Sequence, residues 1–293
     1  MTHFDCDWVD AFTGRPFGGN GCAVVHGGAG LPDRTCMDFV RETSLVECTF
    51  TGPSDIADLK VRYFLADREL PFAGHPTIAT VAALRDRGLI DGDTLTLETG
   101  AGVVPIRLEG DLIEMTQVAP SFGASVDPAL VAGAIGLPPE AIAAPPQLVS
   151  TGVRFCIALL RSHDDLRAAR LDPEALRRLA EALGREDGGL TVPFLVTRQG
   201  ATDAGDSFSR LLLLPPSPPE DPFTGSATGA MGAYLWRHGL IDKDSFIAEQ
   251  GHWLGRPGQA RVSRLGPPEA MTGIKVAGAG YVLMQGRLML PDA

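Results

Sequence analysis

The sequence predicts an α+β fold of two similar lobes, each a curved sheet around a central helix. Three observations carry this expectation. Segments with strand character outnumber segments with helix character. Two stretches of one design lie in the two halves of the chain, PFAGHPTIATVAAL (Pro71 to Leu84) and EDPFTGSATGAMGAYL (Glu220 to Leu235). Each is a short Gly-containing turn followed by a helix of small residues with few charges. Finally, Ala79, Ala82 and Ala83 crowd the first helix, and Ala227, Gly229, Ala230, Gly232 and Ala233 crowd the second. Glycine inside a helix costs up to ~1 kcal/mol against alanine. Such a sequence makes sense where an enclosing sheet packs close to the backbone.

The elements follow in order. HFDCDWVDAF alternates as a strand and CAVVH is a short apolar run, with the turn-rich TGRPFGGNG between them. LPDRTCMDFVRETS reads as a helix with an acidic residue early. ECTFT and LKVRYFLA are strands. The helix opening at Gly74-His75 runs to about Arg87, where Gly88 is a suitable stop. TLTLET, GVVPIRL and LIEMTQV form a strand meander. Residues 119–150 are rich in Pro, Ala and Gly, with one short helix capped by Asp127 and started by Pro128. The lobe boundary falls at the start of this segment. VRFCIALL is then a strand, and DPEALRRLAEALG a helix with Asp172 as cap and Gly184 at its end. VPFLVTR and SFSRLLLL are strands before the helix that opens at Gly225-Ser226. MTGIKVAGAGYVLMQGRLML closes the chain as strand pairs with glycine turns.

Composition limits the functions. The 293 residues are 44% apolar and 21% charged, typical of a soluble globular protein. The 25 basic and 36 acidic side chains give a net charge of −11, which argues against nucleic acid or an anionic membrane as partner. The five cysteines are scattered with no CxxC pair, so neither a disulfide framework nor a zinc site is expected, and a reducing cytoplasm is the natural setting. No signal-peptide pattern opens the chain, and no apolar run approaches the ~20 residues of a spanning helix. GAGYV at 278–282 precedes no helix, so it is a weak dinucleotide match. There is no GxxxxGK[ST] or HExxH, and the six histidines have no metal spacing. No cofactor and no metal are expected.

Three places hold polar residues in informative settings. Glu47 opens an apolar strand. By alternation it shares a face with Thr49, while Val46, Cys48 and Phe50 share the other. The pattern leaves open a wet-face position or a cleft; in an apolar cleft its pKa would rise, as a proton shuttle requires. His75 either caps its helix or stands as a neutral imidazole, favoured by the helix dipole. Asp221 precedes Pro222 in a turn, where it either makes local backbone bonds or faces a site with Ser226. Both helix starts offer unpaired N–H groups, so each is a potential anion site. If the lobes face each other the two converge, which suits a small carboxylate.

Together these residues resemble the PhzF family, the phenazine biosynthesis-like isomerases. VDAFTGRPFGGNGCAVV, ETSLVECTF, VRYFLADRELPFAGHPTIAT, EDPFTGSA and EQGHWLGRPGQ match its motifs in order along nearly the whole chain. The resemblance implies the diaminopimelate epimerase-like fold, with lobes of 1–118 plus 278–293 and of 119–277, and the active site in the cleft between them. It implies Glu47 as the acid/base, with His75 and Asp221 as catalytic partners. Gly74, Gly225 and Ser226 would bind the substrate carboxylate. It further implies a cofactor-independent isomerase and a homodimer. Related racemases use two facing cysteines, one of them, in the proline racemase branch, just before the GH turn. Here Ala73 stands before Gly74 and Thr224 before Gly225, so a two-thiolate mechanism is not expected. A one-base epimerase of an amino or hydroxy acid, or a non-catalytic binding protein of the same fold, are the alternatives. The loop at 14–21 is a candidate for specificity and closure.

Overall fold

A computed structural model describes residues 1–184, 192–215 and 217–290. The chain forms two compact units, Met1–Thr116 with the segment from Ala277 onward, and Gln117–Val276.

The first unit contains β1 (Thr2–Ala11), β2 (Asn20–Val25), α1 (Asp33–Thr43), β3 (Glu47–Gly52), β4 (Leu59–Phe64), β5 (Glu69–Leu70), α2 (Gly74–Asp86), β6 (Thr94–Thr99), β7 (Gly102–Glu109) and β8 (Leu112–Gln117). β1 and β2 pair antiparallel, β2 and β3 parallel, β3 and β4 antiparallel, β4 and β6 parallel, and β6 and β7 antiparallel. A final strand, Gly280–Leu290, lies antiparallel to β1.

The second unit contains β9 (Ser121–Ser125), α3 (Pro128–Ala134), β10 (Gln147–Ser150), β11 (Arg154–Leu159), α4 (His163–Ala168), α5 (Pro173–Ala182), β12 (Phe194–Thr197), β13 (Ser207–Leu212), β14 (Glu220–Asp221), α6 (Gly225–Arg237), β15 (Ser245–Gln250), β16 (Gly258–Leu265) and β17 (Gly273–Gly278). The closing strand of the first unit is therefore β18. From β10 through β16 the pairings are antiparallel, parallel, antiparallel, parallel and antiparallel. That is the alternation of the first unit. In both, a two-residue strand (β5 or β14) precedes the central helix. The repeated helix design in the sequence is thus a repeated topology.

The central helices explain their composition. Every residue of α2 from Gly74 to Leu84 is buried, as is nearly all of α6. α2 lies against β1, β2, β3 and β18, and α6 against β10, β11, β12 and β16. A helix enclosed on all sides needs no polar face. The close approach is explicit at Gly229, where a Cβ would fall 1.9 Å from Gln117 Oε1. Gln117 occupies that space, donating to the Gly225 carbonyl at 3.0 Å and accepting from Thr151 Oγ1 at 2.5 Å.

Caps fall where the sequence puts them. Asp127 and Asp172 accept from the first turns of α3 and α5, each with Pro at the helix start. Gly88 and Gly184 adopt positive φ after α2 and α5. The end of the chain differs from expectation. Gly286 makes no turn but lies within β18 opposite Cys6, because ten residues of β1 supply a partner along the whole strand. The 119–150 segment also holds β9 and β10 beside its helix. These strands carry little intrinsic signal and form by pairing with each other.

Candidate active site

Alternation fixes the direction of Glu47. Cys48 and Phe50 enter a core with Ala23, Val25, Cys36, Val40 and Phe64 on the α1 side of the sheet. The other face of β3 meets α2, where Thr80 Oγ1 donates to Thr49 Oγ1 at 3.0 Å. Glu47, two residues from Thr49, lies on this face, and its carboxylate is 15% exposed. The wet-face alternative is therefore set aside. Further bonds hold the α2 start in place: Thr77 Oγ1 donates to the Ala73 carbonyl at 2.7 Å and meets the Tyr63 hydroxyl at 2.8 Å.

These anchors bring Glu47 and His75 together, with His75 Nδ1 3.9 Å from Glu47 Oε2. This contact is not an ion pair. His75 is 3% exposed, and burial lowers its pKa to about 3. Desolvation thus favours the neutral imidazole. Asn20 Nδ2 faces His75 Nδ1 at 3.3 Å. His75 Nε2 is buried and has no hydrogen-bond partner among the described residues. A donor or acceptor left in that state costs roughly 1–3 kcal/mol, the pattern of a group kept for something that arrives.

Two thiols lie near Glu47, and neither suits base chemistry. Cys22 is the β2 register partner of Glu47, and burial raises its pKa well above the ordinary thiol value. Cys48 points away, and burial raises it to about 12. Among the described residues, no group of three or more His, Cys, Asp or Glu could hold a metal ion.

In the second unit Asp221 ends β14 and is 5% exposed. Its Oδ2 accepts from Thr224 Oγ1 at 2.5 Å. Gln250 closes the turn, donating to the Asp221 carbonyl at 2.8 Å and accepting from Thr224 N at 3.1 Å. Arg210 donates to both carboxylate oxygens of the neighbouring Glu220, at 2.6–3.1 Å. The DPFTGS turn is therefore a fixed structure. Thr224 donates to Asp221, and Ser226 stays half-buried at the second position of α6. Neither α2 nor α6 has a side-chain cap, so the first-turn amides at Gly74 and at Gly225-Ser226 are not closed off by their own caps.

Sequence reading missed Asn20, Gln117, Arg210 and Gln250. Asn20 carried a signal, a polar residue opening the apolar run CAVV. Gln250 lay within EQGHWLGRPGQ, but nothing local tied it to a turn 26 residues earlier.

Comparison with known proteins identifies the family and the fold. The family model described as phenazine biosynthesis-like protein matches residues 9–286. Trans-2,3-dihydro-3-hydroxyanthranilate isomerase of Pseudomonas aeruginosa is 31% identical over 294 residues, covering 96% of this chain and 98% of that protein. The crystal structure of a Bacillus anthracis phenazine biosynthesis protein of the PhzF family superposes with a TM-score of 0.85 at 26% identity, over 99% of this chain and 100% of the other. A hydroxyproline epimerase from Agrobacterium vitis shares the fold alone, with a TM-score of 0.64 at 17% identity over 98% of this chain and 91% of its own. With motifs, topology and relatives in agreement over nearly its whole length, the chain belongs to the PhzF family of phenazine biosynthesis-like isomerases, on the diaminopimelate epimerase-like fold.

Proposed function

We propose that this isomerase moves a proton within a small cyclic or unsaturated carboxylate, without a cofactor, using Glu47 as its single acid/base. The observation that carries the reading is the Glu47 carboxyl set beside a buried, neutral His75 whose Nε2 has no hydrogen-bond partner among the described residues. As carboxylate, Glu47 takes a proton from a carbon next to an alkene or carbonyl, and the electron pair spreads into the conjugated system. As carboxylic acid, it returns the proton at the far end of that system. No atom is gained or lost. His75 offers a donor to charge developing on the substrate, where a preorganised hydrogen bond is most effective. Asp221 orients the substrate, and the amides near Gly74, Gly225 and Ser226 bind its carboxylate. The uncapped starts of α2 and α6 support that assignment.

The relative named trans-2,3-dihydro-3-hydroxyanthranilate isomerase makes cyclic unsaturated amino carboxylates the first compounds to try. A homodimer and a cytoplasmic setting, both implied by the family resemblance and composition, complete the proposal. The test is proton–deuterium exchange by NMR in D₂O over a panel of such carboxylates, each paired with its carboxamide. Exchange confined to the acids supports a carboxylate-anchored proton shift. Exchange at an α-carbon with loss of optical rotation, and no double-bond shift, would replace it with one-base epimerisation. Saturable binding with no exchange across the panel would count against an enzymatic role for this site.

A further inference from the structure

We propose that Asn20 is a positioning residue that holds the His75 proton on Nε2 and keeps Nδ1 from serving as a proton acceptor for Glu47. The inference rests on the reading of Glu47 and His75 given above. It begins from a competition at one atom. His75 Nδ1 faces both the Asn20 amide nitrogen at 3.3 Å and Glu47 Oε2 at 3.9 Å. A neutral imidazole has one N–H and one lone pair. An amide nitrogen has only protons to offer. The ring nitrogen it faces must therefore carry the lone pair, which leaves the proton on Nε2, the atom without a hydrogen-bond partner among the described residues. The tautomer is thus set by the hydrogen bond at the opposite nitrogen.

The arrangement also divides the labour. A proton taken up by Glu47 could pass to His75 only at the nearer nitrogen, Nδ1. The lone pair there already accepts from Asn20. The proton stays on Glu47 until it is returned to the substrate, and His75 keeps the Nε2–H that can donate to substrate. Asn20 is well placed for this. It is 2% exposed, opens β2 in register with Ala11, and follows Gly19. A Cβ on Gly19 would fall 1.9 Å from the Ala11 carbonyl oxygen, and its φ is +50°, so the chain is pressed against β1 just before Asn20. Little slack remains for the amide to leave the ring.

The test uses the ligand-free full chain with ¹⁵N-labelled histidine, read by long-range proton–nitrogen correlation at neutral pH. The His75 signals are assigned by their loss in His75→Gln. The expected wild-type spectrum shows Nε2 protonated and Nδ1 unprotonated. In Asn20→Ala the Glu47 carboxylate, an acceptor 3.9 Å from Nδ1, remains beside the ring, so the proton is expected to move toward Nδ1. A wild-type ring with its proton on Nδ1, or with both nitrogens protonated, would overturn the proposal. So would a folded Asn20→Ala protein with the wild-type tautomer. If that variant does not fold, the wild-type spectrum decides alone. No substrate or turnover enters, so failure of the Glu47 mechanism in an exchange assay leaves this result separately readable.

Discussion

Replacing Arg87 with alanine should unseat the far end of the helix that carries His75. Arg87 caps α2 at its C-terminus and grips Asp7 in β1, with Nε 2.7 Å and Nη2 2.6 Å from the two carboxylate oxygens. Asp7 is fully buried, and its other partner is His26 Nε2 at 2.9 Å. Burial alone would raise the Asp7 pKa, but the hydrogen bonds from Arg87 and His26 outweigh it and hold the group below the ordinary carboxylate range. Removing one partner of a buried pair typically costs about 3–5 kcal/mol, because an uncompensated charge remains. With His26 still in place, the low end, about 3 kcal/mol, applies here. In urea, with a slope of about 3 kcal/mol/M, that moves the unfolding midpoint by about 1 M. The pH dependence is a second check. A depressed folded pKa gives stability that is present above the unfolded value of about 3.9 and is lost as pH falls through the folded one. Without Arg87, burial raises Asp7, and protonation then relieves the trapped charge. The deficit of Arg87→Ala should therefore be largest near neutral pH and shrink toward pH 4. A deficit under about 1 kcal/mol at pH 7, or one that does not change with pH, would refute this reasoning.

Two other outcomes follow. Gly229→Ala should destabilise by about 1–3 kcal/mol despite alanine's better helix propensity, because its Cβ would displace Gln117. Thermal unfolding should show the loss, and Gln117→Ala in the same chain should recover part of it. With burial lowering His75 to about 3, kcat/KM should show no limb from this residue between about pH 5 and 9. An acidic limb near pH 6.5, the unperturbed histidine value, that vanishes in His75→Gln would contradict a permanently neutral imidazole.

Much of the fold was legible because its signals are local. Asp127, Pro128, Asp172 and Pro173 mark helix starts by capping chemistry, and Gly88 and Gly184 mark stops by their positive φ. The small-residue composition of helices α2 and α6 announced an enclosing sheet. Glu47 could be placed on a face by period-two alternation, but not assigned to solvent or site. That depended on α2, which the Thr49–Thr80 bond brings across 31 residues. Gln117 and Gln250 were invisible as site-builders for the same reason, and Asn20 showed only as a polar residue ahead of the apolar run CAVV. An amide side chain acquires its role from partners 55, 108 and 26 residues away, and no local pattern encodes such pairings. Gly286 misled because glycine signals a turn only where a strand lacks a partner, and β1 supplies one.

The most direct test of the account is proton–deuterium exchange into a turned-over carboxylate by wild type and by Glu47→Gln, with substrate binding measured on both. Glutamine keeps the shape of the side chain but cannot shuttle a proton. Exchange should fall by about 10²–10⁴-fold, the usual worth of a positioned acid/base, while binding persists. Exchange at the wild-type rate in Glu47→Gln would remove Glu47 from the mechanism.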